Sequence, residues 1–383
     1  MFLKINSTAT ARTATLVIAL SSCTGPWIKL DSEHDRFVTG GYQGNETLAV
    51  LLPESGRFAG AAKAVRAGIV AAQEADPKEK WPKLRFYNSA AGSISALVQQ
   101  AAKDGARLAI GPLQKLAVKK LAGLATLPIP VLALNQVAVA AKPSNLYQFS
   151  LAPEAEVTEA VDKAWSKGYR KAVILYPKGK WGDRMSQAFR RQWKAQGGTL
   201  VAAQAFNPKA KDLSGTVKKL SEQVAQADFI FLAAPPKLAR QAWVQTRSKL
   251  GTQTRVYTTS HIYDGHFDPK DDKHLVGLNF VEIPWLVKPT PDDAVSSKGL
   301  SKQLPRLYAM GVDAYRLGSR LDWMAGNPQA RVQGKTGILR LDSQRRIQRK
   351  LTLARMEATG SVKRASSDRQ KPKPGIFAWA KSL

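Results

Sequence analysis

Between residues 47 and 259 the sequence repeats one unit: a short apolar run, a tight loop and an amphipathic helical stretch. Thr47-Leu48-Ala49-Val50-Leu51-Leu52 has the unbroken apolar character of a strand covered on both faces. Pro53-Glu54-Ser55-Gly56 ends it, and an alanine-rich helical stretch follows from Ala59 to about Ala75. The same order predicts strands over 84–87, 107–110 and 131–134, with helices over 93–103 and 115–124 between them. A second set opens at Pro153, where Val157, Ala160, Val161, Ala164 and Trp165 fall at i, i+3, i+4, i+7 and i+8 of a helix. It continues through strands 171–176, 199–205, 228–232 and 255–259 and helices 182–196, 213–226 and 236–249. Strands that alternate with helices form parallel sheets, so two such sets predict an α/β protein of two doubly wound lobes with a cleft between them.

The remaining chain must complete these lobes. A long helix is expected over 304–324, and strands over 338–341 and 347–355. Breaks in the rhythm place chain crossings near 150–153, within 260–279 and between 324 and 338. The first lobe is then 47–150 plus about 265–325, and the second 151–264 plus about 335–357. The stretch 358–383 is a basic C-terminal segment; its part 361–375, rich in lysine, arginine, serine and proline, reads as mobile before the apolar end Ile376-Phe377-Ala378-Trp379, which is expected to dock back.

The first 22 residues read as an export signal. Lys4 and Arg12 precede an apolar run from Ala14 to Leu20, and Leu20-Ser21-Ser22-Cys23 follows with the only cysteine of the chain. This tetrapeptide resembles a bacterial lipobox, which makes Cys23 the expected lipidation site and mature N-terminus. Thr24 follows it, and resemblance to Gram-negative lipoproteins then implies the outer membrane, facing the periplasm. Residues 23–46 read as a lipidated cysteine and flexible tether, whose reach is at most ~75 to 80 Å. No apolar run approaches the ~18 residues that a membrane span needs, and one cysteine forms no internal disulfide.

Charge and missing motifs narrow the function. Lysine and arginine total 58 against 29 acids, a net +29 spread over the chain with some C-terminal enrichment, so acidic partners are expected. Export places nucleic acid out of reach. His261, His266 and His274 share a loop with Asp264, Asp268, Asp271 and Asp272, but their spacing fits no metal box, and the loop reads as solvated with no metal site. Gly334-Lys335-Thr336 lacks the glycine that a phosphate loop needs, since position 329 is Gln329. Lys335-Thr336-Gly337 matches the triplet of penicillin-binding proteins, yet no Ser-x-x-Lys supplies the nucleophile, and no Gly-x-Ser-x-Gly elbow occurs. No catalytic residue and no cofactor are expected.

Several segments carry a family resemblance. Leu51 to Phe58, Ile110-Gly111-Pro112-Leu113 and Pro130 to Asn135 resemble a type I periplasmic-binding-protein lobe. Trp181-Gly182-Asp183-Arg184, Thr259 to Gly265, Pro284-Trp285, Arg306 to Leu317 and Gly334 to Asp342 resemble the C-terminal domain of LpoA-type penicillin-binding-protein activators. The resemblance covers roughly 47–357. It implies a non-enzymatic outer-membrane lipoprotein that binds and activates a class A penicillin-binding protein, a peptidoglycan synthase, in the periplasm. The alternative is a solute-binding lipoprotein of an amino-acid importer, which uses the same fold. Longer members carry a helical-repeat domain that this chain is expected to lack, leaving the tether to provide the reach.

Ser55, Gly56, Pro112, Asn135, Tyr176, Ser260, Tyr263 and Asp264 are the cleft candidates, where strand ends present hydroxyl, amide and carboxylate groups to an unknown small ligand. The alternative for Gly56 and Pro112 is a purely local role in sharp turns. Trp181, Trp285 and Tyr308 are either core residues or a partner-facing hot spot.

Overall fold

A computed structural model describes residues 36–37, 41–250, 255–263, 269–288, 304–359 and 361–365, and within 36–365 it forms two sheets. The strands are β1 (Arg36–Phe37), β2 (Thr47–Leu52), β3 (Lys83–Asn88), β4 (Ala106–Ile110), β5 (Val131–Ala133), β6 (Leu146–Phe149), β7 (Lys171–Pro177) and β8 (Thr199–Phe206). They continue with β9 (Phe229–Leu232), β10 (Val256–Thr258), β11 (Asn279–Glu282), β12 (Ala330–Gln333), β13 (Ile338–Leu341), β14 (Arg346–Lys350), β15 (Thr352–Met356) and β16 (Val362–Arg364). The first sheet runs β1-β12-β13-β14-β6-β5-β4-β2-β3, and the second β16-β15-β11-β10-β9-β7-β8. Each has a parallel centre, as the alternation requires, and antiparallel strands toward one edge.

The helices between them are α1 (Ala59–Glu74), α2 (Ile94–Lys103), α3 (Lys115–Ala122), α4 (Pro153–Ser166), α5 (Lys180–Ala195), α6 (Ser214–Val224) and α7 (Pro236–Leu250). The predicted stripe of α4 is buried at Val157, Ala160, Val161 and Ala164. One hydrophobic core joins the two sheets, since Val50 and Ile110 of the first belong to the same packed cluster as Ile174 and Phe231 of the second. Aromatic rings fill much of the second sheet's face: Phe189 stacks on Phe231 at 4.7 Å and Trp193 meets Phe229 at 5.4 Å.

The two lobes share out the late chain only partly as the sequence suggests: the helix Leu304–Gly318 joins the first and β15 the second, but β11, β13 and β14 do not follow. The strand β11 pairs with β10 and β15 in the second sheet, whereas 265–325 was expected in the first. Conversely β13 and β14 extend the first sheet, with Ile347 beside Phe149 of β6, although 335–357 was expected in the second. The crossings therefore lie between β6 and β7, between β11 and the helix Leu304–Gly318, and at Leu351 between β14 and β15. Only the first falls where the rhythm placed it. The Leu304–Gly318 helix packs on α1 and so belongs with the first sheet; it stops at Gly318, where a side chain would meet Tyr42, and a separate turn Leu321–Gly326 follows.

The ends also differ from expectation. Arg36–Phe37 pairs with Ala330 and Arg331, and buried Tyr42 donates its hydroxyl to the Tyr315 carbonyl at 2.7 Å, so the free tether cannot extend to residue 46. Val362–Arg364 pairs with β15, which makes the start of the basic C-terminal segment an edge strand. Cys23, the export signal and the apolar end 376–379 lie outside the described residues.

Candidate functional site

The first sheet's candidate loops are closed on themselves. Ser55 is exposed, and Gly56 turns in the left-handed region with φ +74° and open space around it. At Gly111, φ is +109° and a Cβ would lie 2.2 Å from the Leu51 carbonyl oxygen, so the turn before buried Pro112 admits only glycine. The Pro112 carbonyl accepts the Leu134 N–H at 3.0 Å. Asn135 donates from Nδ2 to the Leu113 carbonyl at 3.0 Å and accepts the Gln136 N–H at 2.9 Å. These groups hold the loops after β4 and β5 together, a local use of the amide and proline.

The second sheet's candidates lead inward. Tyr176 is half-buried against the core, and Asp264 lies outside the described residues. Ser260 is buried: its N–H donates to Glu156 Oε2 at 3.0 Å, and its hydroxyl lies 3.0 and 2.8 Å from the two carboxylate oxygens. His261 Nδ1 lies 3.3 Å from Glu156 Oε2, off the axis of an aligned hydrogen bond. Burial pushes the Glu156 carboxyl up, yet His261, Arg349 and Arg306 outweigh that and hold it below its ordinary value.

Around Glu156 the structure gathers charges from both sheets. Glu282, at the end of β11, accepts the Ile283 N–H at 2.8 Å and Arg306 Nε at 3.1 Å, and forms an ion pair with Arg306 Nη2. That Nη2 also donates to the carbonyl of buried Tyr263 at 3.1 Å. Burial works against the Arg306 charge, but Glu282 more than restores it and its pKa is raised. Asp313, on the Leu304–Gly318 helix, accepts the Lys335 and Thr336 N–H groups, each at 2.7 Å, and the Thr336 hydroxyl at 2.5 Å. Burial still keeps its pKa raised. Glu159 accepts the Leu351 N–H at 2.8 Å, at the β14–β15 crossing.

Arg349 stands among these acids. It is 6% exposed, its Nη1 and Nη2 have no hydrogen-bond partner, and Glu156, Glu159, Glu282 and Asp313 all act on its charge. Every carboxylate in this seam is thus satisfied by a donor of its own, and the guanidinium supplies shared positive potential.

This arrangement is poor in chemistry and rich in positioning. The Ser260 hydroxyl donates straight to a carboxylate held ionised, and His261 does not reach it, so serine lacks the base-nucleophile contact of a hydrolase. Among the described residues no group of three His, Cys, Asp or Glu side chains could hold a metal, and no helix is long and apolar enough to cross a membrane. The aromatic candidates divide. Trp285 and Tyr308 stack at 5.5 Å with exposures of 5% and 4%, and Lys335 Nζ lies 5.2 Å from the Trp285 ring centroid, so both fill the seam rather than face a partner. Trp181 is half-buried and lies 6.3 Å from the His261 ring.

Sequence reading missed Glu156, Glu159, Glu282, Arg306, Asp313 and Arg349 as a group. Two signals were present: Arg349 lies two residues after buried Ile347 on β14 and therefore points to the same covered face. Glu156 likewise occupies the buried side of α4, one turn before Ala160.

Residues 42–358 match the LppC putative lipoprotein family. A penicillin-binding protein activator, LpoA, of Pectobacterium parmentieri is 29% identical over 310 residues, covering 70% of this chain and 46% of the relative. The chain spans about half the length of the curated relatives it matches. Among solved structures, the C-domain of LpoA from Haemophilus influenzae, described as a regulator of PBP1A, superposes with a TM-score of 0.72 at 22% identity, covering 84% of this chain and 100% of that one. A putative branched-chain amino acid ABC transporter protein from Chromobacterium violaceum superposes with a TM-score of 0.69 at 29% identity, covering 82% and 100%.

Proposed function

Because this chain belongs to the LppC lipoprotein family over most of its length, we propose that it activates a penicillin-binding protein, a class A peptidoglycan synthase, from a lipid anchor at the outer membrane and without catalysis of its own. The observation that carries this reading is the run of activator relatives, 29–30% identical across 69–80% of the chain. The seam supports it, since buried Ser260 and half-buried His261 are not arranged to attack a substrate. Cys23 is the lipidation site in this reading. With β1 already paired at Arg36, residues 24–35 provide at most about 40 Å between anchor and sheet. The folded body must then supply most of the reach toward a synthase in the opposite membrane.

The test is reconstitution. Purified chain added to its cognate synthase should raise glycan polymerisation or cross-linking and should form no polymer alone. The contact should weaken as salt rises, because a chain of net +29 meets an acidic surface. The likeness to the transporter protein gives a second reading, an importer's solute receptor. Absence of stimulation, together with saturable binding of a branched-chain amino acid, would favour that second reading.

A further inference from the structure

A cavity of about 590 Å³ lies beside the Leu351 crossing, and its walls carry cations from three elements: Lys163 of α4, Lys350 of β14 and Arg364 of β16. Lys167 lines it too, and among the described residues no acidic side chain does. Neither Ser55, Pro112, Asn135 nor Ser260 reaches it, so it is distinct from the strand-end candidates. Lys163, Lys350 and Arg364 form no ion pair among the described residues. The acids that act on Lys163 are already engaged. Glu159 accepts the Leu351 N–H, and Asp162 accepts Gln192 and Gln196 side-chain donors at 2.8 and 2.9 Å. Burial lowers the Lys163 pKa; Glu159 and Asp162 raise it, and Lys350 and Arg364 lower it further.

Like charges brought to one concavity repel unless an anion joins them. Among the described residues no carboxylate lines this concavity. Beyond Ala365 the sequence adds Arg369, Lys371, Lys373 and Lys381 against the single acid Asp368. We propose that this cavity binds a small multivalent oxyanion, of the phosphate or polycarboxylate class, held between cations of both sheets. Lys350 belongs to the first sheet and Arg364 to the second, so a bound anion ties the two across the crossing. Occupancy of the site thereby adds a ligand-dependent tie to the core that already joins the lobes.

Calorimetric titration of the full chain in detergent at near-physiological salt, with inorganic pyrophosphate and separately with citrate, tests this. Saturable binding of one anion per chain is expected, with preference for pyrophosphate assigning a phosphate ligand and preference for citrate a carboxylate one. Lys163→Gln and Arg364→Gln should each weaken it about tenfold, the loss of one charge-assisted contact. A matched pair on the exposed face of α3, Lys115→Gln with Lys119→Gln, should leave it within about twofold, since net charge alone acts weakly at that salt. Thermal unfolding of each variant establishes that the fold persists. No saturable heat from either anion, or equal weakening by the α3 pair, would overturn the proposal.

Discussion

The helix Leu304–Gly318 docks on α1 through two facing glycines, and adding one methyl group at either should separate them. A Cβ at Gly311 would lie 2.1 Å from the Val65 carbonyl oxygen and 3.1 Å from the Ile69 nitrogen; at Gly68 it would lie 2.0 Å from the Tyr308 oxygen. These neighbours are backbone atoms of rigid helices and cannot rotate aside. The helices must move apart by roughly 1 Å, which loses close-packed contacts and costs at the upper end of overpacking, about 3 kcal/mol. Alanine returns about 1 kcal/mol of helix propensity over glycine. Gly311→Ala should therefore destabilise by about 2 kcal/mol. Gly60→Ala is the internal control: it lies on the same α1 with nothing within 4 Å of its Cβ, and should be neutral or stabilising by up to about 1 kcal/mol. Urea unfolding with an unchanged slope reads both. On the proposed function, activation of a synthase should fall for Gly311→Ala, because this helix carries Arg306, Tyr308 and Asp313 into the seam. A Gly311→Ala protein as stable as the parent, or a Gly60→Ala protein as weakened as it, would refute the packing argument.

Three other outcomes follow from the seam and the anchor. Glu156 has a folded pKa below its ordinary 4.5, so its contribution is complete above that pH and disappears as pH falls through the folded value. The stability difference between parent and Glu156→Gln should accordingly be largest near neutrality, about 3 kcal/mol, and shrink on acidification below the ordinary carboxylate range; a difference independent of pH would sink this assignment. Trp285→Ala should cost about 3–5 kcal/mol in denaturant unfolding, whereas half-buried Trp181→Ala should cost markedly less, and equal costs would contradict their different burial. Cys23→Ser should remove the acyl mass from the N-terminal peptide and release the chain from membranes, and an unmodified Cys23 in the parent would end the anchoring model.

The parallel cores were legible because their strands are covered on both faces and read as unbroken apolar runs, as in Ala49–Leu52 or Phe229–Leu232. The later strands were not, because sheet membership there is settled by pairing across the molecule. Residues 347–355 read as one strand, yet the chain changes sheets at a single residue, Leu351, whose N–H leaves the ladder for Glu159. The short β6 was missed since Gln148 looks like a surface residue. It is buried, and its Oε1 accepts the Val137 N–H at 2.7 Å. The seam was hidden for the same reason. Charged residues are assigned to solvent by default, and only the parity of Arg349 with Ile347 and the helical spacing of Glu156 from Ala160 argued otherwise.

That seam bears on which function this fold can serve. Arg306 approaches from the helix that packs with the first sheet, whereas its partner Glu282 ends a strand of the second, and Trp285 on Tyr308 makes the same crossing. Opening the lobes would give up the Arg306–Glu282 ion pair and the Trp285–Tyr308 stack together. A solute receptor that clamps its ligand by hinge closure spends part of its binding energy on such a change. A scaffold that presents one fixed surface to another protein gains from the opposite property, because rigidity removes the ordering cost of association. The buried ion pair therefore weighs toward a protein-binding module. It also gives the crossing cavity its significance, since an anion shared by Lys350 and Arg364 would add a second, ligand-dependent tie to one that is already permanent.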